Sequence, residues 1–201
     1  MTAGRVVLAS KSPARRAVLT NAGIPFSWRD ARIDEDRIKA KPRGPGWAAG
    51  DLALELAVSK AKTVSNQGSP DDLVVGCDQL LSLDGELFDK PENLTAARGH
   101  LKKFSGRTHQ LISAVCLVQA NETVWSHVAT AQMHVRDLSD RFIDTYLENE
   151  GERVLSSVGA YLLESTGAQL FERIDGDYFT VLGLPLLPLL EELRKRGILP
   201  A

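Results

Sequence analysis

Residues 74–93, VVGCDQLLSLDGELFDKPEN, restrict the fold more than any other stretch of the chain. Val74-Val75-Gly76-Cys77 begins like a buried strand, Asp78 and Gln79 interrupt it, and Leu80-Leu81 resume it. Asp84-Gly85 is a strong hairpin-turn signal, so residues 73–83 and 86–88 are expected as paired antiparallel strands. Upstream of this hairpin, strand-like and helix-like segments alternate. An alternating α/β start followed by hairpins predicts an α/β protein with a mixed sheet, not a purely parallel one.

The other elements follow from periodicity and end signals. RVVLA at 5–9 reads as a short strand. Ser12-Pro13 opens a helix that Gly23 closes, with a hydroxyl at the cap and proline at the first helical position. FSWRDARI at 26–33 reads as a strand and KPRGPG at 41–46 as a flexible loop. Helices are expected over 47–65, 94–104, 139–149 and 185–197, and long strands over 108–119 and 123–135, turning near Ala120-Asn121. Residues 151–176 read as a short helix mixed with strands.

The 201 residues suit one domain, or two closely joined lobes. A net charge of −2 leaves no basic excess to release counterions, which argues against a nucleic-acid-coating protein. Cys77 and Cys116 lie in apolar strand-like runs without CxxC spacing, so free buried thiols in a reducing cytoplasm are expected. No run approaches the roughly 20 apolar residues of a membrane span, and no signal-peptide pattern is read.

Four groups of residues look like chemistry. In LASKSPARR, Arg15 and Arg16 fall in the first turn of a helix, where cations face the positive dipole end and free N–H groups want an acceptor. A phosphate satisfies both, and so do arginines turned out to solvent. In DLALELAVSKAK, Lys60 falls in the middle of the apolar face formed by Leu52, Ala53, Leu56, Ala57 and Val64, with Lys62 opposite. Such a lysine needs an anion or a route to water, so ligand binding, snorkelling and a structural ion pair are all open. Asp34-Glu35-Asp36 reads as a solvated acidic loop or, with Asp78, as a source of oxygen ligands for magnesium. Asp78 reads as a strand-end acid bordering a cleft, with Lys90-Pro91 twelve residues on. P-loop, GxGxxG, GxSxG and HExxH motifs are all missing. The four histidines read as surface or strand residues and not as metal ligands.

Several cations (Arg15, Arg16, Lys60, Lys90) with at least two acids (Glu35, Asp78) suit a polyphosphate bound with a divalent metal. In order, LASKSPARR, IDE, LAVSKA, VVGCDQ, DGE, KPEN, SGRTH, GAYLLES and GDYFTVLGLPL resemble the motifs of the Maf family, from Leu8 to about Leu190. The resemblance implies a nucleoside triphosphate pyrophosphatase cutting between the α- and β-phosphates. It also implies an elongated two-lobed α/β fold akin to the inosine triphosphatase type, with a mixed central sheet flanked by helices. The whole chain, 1–201, would then be a single Maf-type domain with its cleft between two lobes. Dependence on Mg²⁺ or Mn²⁺, homodimers, disposal of unusual nucleotides and arrest of cell division are implied as well.

Carried over by position, Asp78 matches the catalytic aspartate, and Glu35, Lys60, Lys90, Ser10, Ser12 and Arg15 match further active-site positions. Gln79 stands where most of the family has Thr, and Glu164 where most has Gln. Both resemble the branch assigned to 7-methyl-GTP. That branch places an aromatic residue before its paired arginines, where this chain has Ala14. Asp89 replaces a common Gly, and Ser113-Ala114 a usual Thr-Gly pair. A carboxylate at Glu164 can take both N1–H and the 2-amino group of guanine, which a carboxamide cannot. The expected assignment has Arg15, Arg16, Lys60 and Lys90 on the triphosphate and Glu35 with Asp78 on the metal. Asp78 would orient or deprotonate the attacking water, and Ala14, Gln79 and Glu164 would shape the base site. Rival readings are a dTTP/UTP pyrophosphatase and a nucleotide-binding division regulator with little turnover.

Overall fold

The structure, a computed structural model, describes residues 5–42, 44 and 46–200. The loop expected at 41–46 lies partly outside these residues, at Arg43 and Pro45. In chain order the elements are β1 (Val6–Leu8), α1 (Pro13–Asn21), β2 (Phe26–Trp28), α2 (Glu35–Lys39), α3 (Ala49–Ser65), β3 (Leu73–Leu83), β4 (Glu86–Phe88), α4 (Leu94–Phe104), β5 (Thr108–Gln119), β6 (Glu122–Val135), α5 (Asp140–Glu150), β7 (Phe171–Asp175), α6 (Tyr178–Val181) and α7 (Leu186–Lys195). Two 3₁₀ turns, Gly151–Ser156 and Thr166–Leu170, separate α5 from β7. The strands form one mixed sheet in the order β2-β1-β3-β5-β6-β7, with β4 beside β3. Among the described residues no helix is long and apolar enough to cross a membrane.

The expected mixed α/β sheet is therefore present, but several elements differ, among them the unexpected short α6. β2 stops at Trp28, because β1 offers only Val6–Leu8 for pairing and Arg29 N–H makes the last bond, to Leu8 O. The chain beyond it turns into the short helix α2, where the acidic run alone suggests a solvated loop. Between 151 and 176 only Phe171–Asp175 is a strand, and 3₁₀ turns take the place of the expected helix.

The chain clusters into two compact units. The first comprises the residues up to Gln79, Ile112–Ala129 and those from Asp177 onward; the second comprises Leu80–Leu111 and Thr130–Gly176. In the first, β1 pairs parallel with β2 and with β3 (Val6 opposite Phe26 and Leu73). Side chains alternate along a strand. Leu73, Val75 and Cys77 of β3 accordingly pack with Val18 and Leu19 of α1 and with Leu186, Leu189 and Leu193 of α7. Gly76 faces the other way, onto α3. A Cβ there would lie 2.2 Å from Ala57 O and 2.7 Å from Ala61 Cβ, so only glycine lets α3 seat this closely. Overpacking of this kind costs about 1–3 kcal/mol. Gly76→Ala is expected to lower unfolding free energy by that amount in denaturant titration.

In the second unit β3 and β4 form the expected hairpin, with Asp84 (φ 50) and Gly85 (φ 85) both left-handed. Arg98 of α4 ties that helix to α5 through Asp140 (3.0 Å) and Asp144 (2.6 Å). Phe88, Phe104, His109, Tyr161 and Phe171 form a chain of ring contacts. His109 is buried, its Nε2 2.7 Å from the Tyr161 hydroxyl, and burial pushes the imidazole down to about 3. The unfolded chain then binds a proton that the folded one refuses, so stability is complete above about pH 6.5 and is lost as pH falls toward 3. This residue alone gives a slope of up to about 1.4 kcal/mol per pH unit. His109→Gln should flatten the fall in thermal midpoint between pH 6.5 and 4.5.

Candidate active site

Two polar clusters occupy opposite faces of β3 in the first unit. Asp78 follows Gly76 by two residues, so it shares the α3 face. Lys60 stands between Ala57 and Ala61 in α3, and the close seating at Gly76 brings its ammonium down onto the strand. Lys60 Nζ donates to Asp78 Oδ1 at 2.6 Å and lies 2.8 Å from Glu35 Oε1. The Lys60 and Asp78 side chains keep only 12% and 8% of their exposure, Glu35 41%. A lysine this buried is tolerable because two carboxylates flank it.

Asp78 is not at a strand end, as its sequence suggested. It is buried in the middle of the eleven-residue β3. The strand continues past it because Leu80 and Leu81 are themselves buried. Glu35 is likewise not in a loop but is the first residue of α2. Asp34 caps that helix by accepting from Arg37 N–H at 2.9 Å, and acids at its start suit the helix dipole.

The second cluster lies on the α1 side. Ser12 caps α1, accepting from Arg15 N–H at 3.4 Å, and Ser10 Oγ accepts from Ser12 N–H at 3.2 Å. Arg15 donates from Nε to Gly183 O (2.8 Å) and from Nη1 to Cys77 O (3.1 Å) and Ser10 Oγ (3.4 Å). Half of its guanidinium thus braces α1 against β3 and the turn after α6. The Arg16 guanidinium stacks 4.6 Å over the Trp28 ring, and its Nε is buried without a partner. Ala14 beside them is half-buried. The Cys77 thiol is pushed up chiefly by burial, which keeps it protonated and unreactive.

Gln79, adjacent to Asp78 in sequence, points into this second cluster. Its Nε2 donates to Ser113 Oγ, Thr180 O and Val181 O, each at 3.0 Å, and Ser113 Oγ donates onward to Thr180 O at 2.8 Å. Two backbone carbonyls can only accept, so the amide nitrogen must face them and the carbonyl Oε1 turns the other way. Gly183 (φ 83) borders both Arg15 and Gln79, because a Cβ there would lie 3.2 Å from the guanidinium and 3.5 Å from the Gln79 amide carbon. Ser113, Thr180 and Gly183 were not singled out as site residues from sequence. The signals were Ser113-Ala114 standing where the resembled motif has Thr-Gly, and the closing motif GDYFTVLGLPL, which contains Thr180 and Gly183.

Glu35, Lys60 and Asp78 thus come together, and Ser10, Ser12, Arg15 and Gln79 separately. Lys90 and Glu164 belong to the second unit, where both are exposed. Glu35 and Asp78 converge on the Lys60 ammonium, and they are the acids whose oxygens could also serve a divalent metal. Among the described residues no group of three or more His, Cys, Asp or Glu could hold a metal. Two carboxylates are too few for a closed protein cage, so a divalent metal held here would need water and phosphate oxygens as its remaining ligands.

An α/β chain with this order of motifs is a member of the Maf family. The family model described as Maf-like protein matches residues 5–196. A relative from Rhizobium meliloti named 7-methyl-GTP pyrophosphatase is 53% identical over 98% of each chain. One of the same name from Brucella suis is 54% identical over 95% of this chain and 96% of its own. A relative from Granulibacter bethesdensis, named nucleoside triphosphate pyrophosphatase, is 45% identical over 97% of this chain and 98% of its own.

Removing the ammonium leaves the buried Asp78 carboxylate without its Lys60 partner. Lys60→Met should cost about 3–5 kcal/mol by denaturant titration. A change below about 1 kcal/mol would mean that the ion pair does not hold α3 on β3.

Proposed function

We propose that this chain is a nucleoside triphosphate pyrophosphatase that releases a nucleoside monophosphate and diphosphate, with guanine-type and 7-methylguanine nucleotides preferred. The observation that carries the reading is the buried Asp78 held by Lys60 beside Glu35. Water attacks the α-phosphorus, the bond from that phosphorus to the α–β bridging oxygen breaks, and this oxygen leaves with diphosphate. Asp78 orients the water and takes its proton. Its Oδ1 is committed to Lys60, so Oδ2 is the oxygen assigned to the water. Lys60 holds the carboxylate in one orientation, while Arg15, Arg16 and Lys90 with the α1 N-terminus at Ser12 serve the triphosphate. A divalent metal held by Glu35 and Asp78 would neutralise phosphate charge in the transition state.

Glu164 and Gln79 read the base, with Ala14 leaving room where an aromatic stacker could stand. Glu164 offers two acceptors to the N1–H and 2-amino edge of guanine. Gln79, held by its nitrogen, offers an acceptor as well. Donor-rich guanine suits both better than the carbonyl-flanked edges of thymine and uracil. The names of the relatives support the same preference. Family membership supports a cytoplasmic homodimer whose partner is a nucleotide, with neither nucleic acid nor membrane involved.

Asp78→Asn keeps an acceptor for Lys60 but no base. Diphosphate release from 7-methyl-GTP with Mn²⁺ should fall about 10²- to 10⁴-fold with the circular dichroism spectrum unchanged. Chelation with EDTA should stop the wild-type reaction and added metal should restore it. Full turnover by Asp78→Asn would remove the catalytic assignment, and tight nucleotide binding with no diphosphate release would favour a regulatory protein.

A further inference from the structure

The second unit holds a buried carboxylate that the proposed chemistry does not use. Glu150, the last residue of α5, keeps 3% of its side-chain exposure. Its Oε1 accepts from Ser165 Oγ at 2.6 Å, Thr166 Oγ1 at 2.5 Å and Thr166 N–H at 3.2 Å, and Oε2 pairs with Arg153 at 2.9 Å. The hydrogen bonds from Ser165 and Thr166 hold the carboxyl below the ordinary glutamate range, so it is ionised at neutral pH. Ser165 and Thr166 directly follow Glu164.

The near end of the same loop is held as firmly. Leu162 N–H donates to the Tyr146 hydroxyl at 3.2 Å, also from α5. Tyr161 is buried against His109 and Phe171. Gly167 packs on the Leu162 backbone so closely that a Cβ would lie 2.4 Å from Leu162 O. Ala160 is held at φ 56, a left-handed conformation that a non-glycine residue keeps only when its surroundings impose it. Tyr161, Leu162, Ser165 and Thr166 are therefore anchored to α5 or to the ring cluster, while Glu164 between them is exposed.

We propose that Glu150 is the positioning residue of the base site: its carboxylate clamps Ser165 and Thr166 so that the loop presents the Glu164 carboxylate in one preset orientation. This rests on the reading of Glu164 as the guanine-recognising carboxylate. A two-point pair to N1–H and the 2-amino group depends on orientation, and a carboxylate on a loose loop would lose ordering entropy on binding. The clamp places that cost in folding instead of in recognition.

The test is a double-mutant cycle on the full chain, read as the ratio of dissociation constants for UMP and GMP with kcat/KM measured alongside. Glu150→Ala, Ser165→Ala and Glu164→Ala are each combined, the Ser165 change serving if Glu150→Ala does not fold. Glu164→Ala should reduce the preference for GMP about tenfold or more, as loss of a two-point charged pair requires. Glu150→Ala or Ser165→Ala should reduce it about three- to tenfold in the wild-type background and not at all in Glu164→Ala. UMP binding should change little throughout. Equal losses in both backgrounds, or equal weakening of GMP and UMP, would overturn the positioning role while leaving Glu164 intact. A Glu164→Ala chain with unchanged preference would overturn both this inference and the base-recognition reading on which it rests.

Discussion

The first unit is organised around one largely buried ammonium. Lys60 lies between Asp78 and Glu35, at 2.6 and 2.8 Å, and those contacts fasten three segments distant in sequence. The arrangement depends on packing as much as on charge. Ala57 and Ala61 on either side of Lys60, facing Gly76 across the interface, let helix and strand approach closely enough for the ammonium to reach. Desolvating a cation and an anion costs several kcal/mol each, and here the carboxylates offset the lysine's share. Such a cluster is better suited to holding chemical groups in place than to adding stability, because an apolar pair would pack there without the desolvation cost.

β3 gives the site its division of labour. Consecutive residues on a strand face opposite ways, so Asp78 meets α3 while Gln79 meets α6 and the Arg15 brace. The acid and the amide that look like one interruption of an apolar run belong to two different clusters. Arg15 is bound by the same geometry. Its guanidinium satisfies carbonyls at Cys77 and Gly183, which ties the position of α1 to the strand that carries both functional residues.

Much of the fold was legible. The β3–β4 hairpin, the Ser12-Pro13 start of α1 and the long helices α3 and α4 follow from turn chemistry, caps and periodicity, which act over a few residues. Lys60 was legible as an anomaly, a charge on an apolar face. Its two partners were not, since α2 is five residues long and nothing in IDEDRIK announces that Glu35 turns toward α3. The short β2 was missed because its end is set by how far β1 extends, which is a property of the partner strand. The three anchors of Gln79 lie 34, 101 and 102 residues away, beyond any local pattern.

By itself the sequence determined most of the element types, the mixed sheet, the inventory of acids and cations, and through its ordered motifs the Maf family. These depend on local propensity and on residue identity. Only the tertiary structure decided that Asp78 sits mid-strand and buried, that Lys60 neutralises it, that Gln79 turns its oxygen away from the α6 carbonyls, and that Glu150 fastens the loop bearing Glu164. The physical reason is the same in each case. A buried polar group must find its partner, and which partner it finds is fixed by how sheet and helices pack, not by neighbours along the chain.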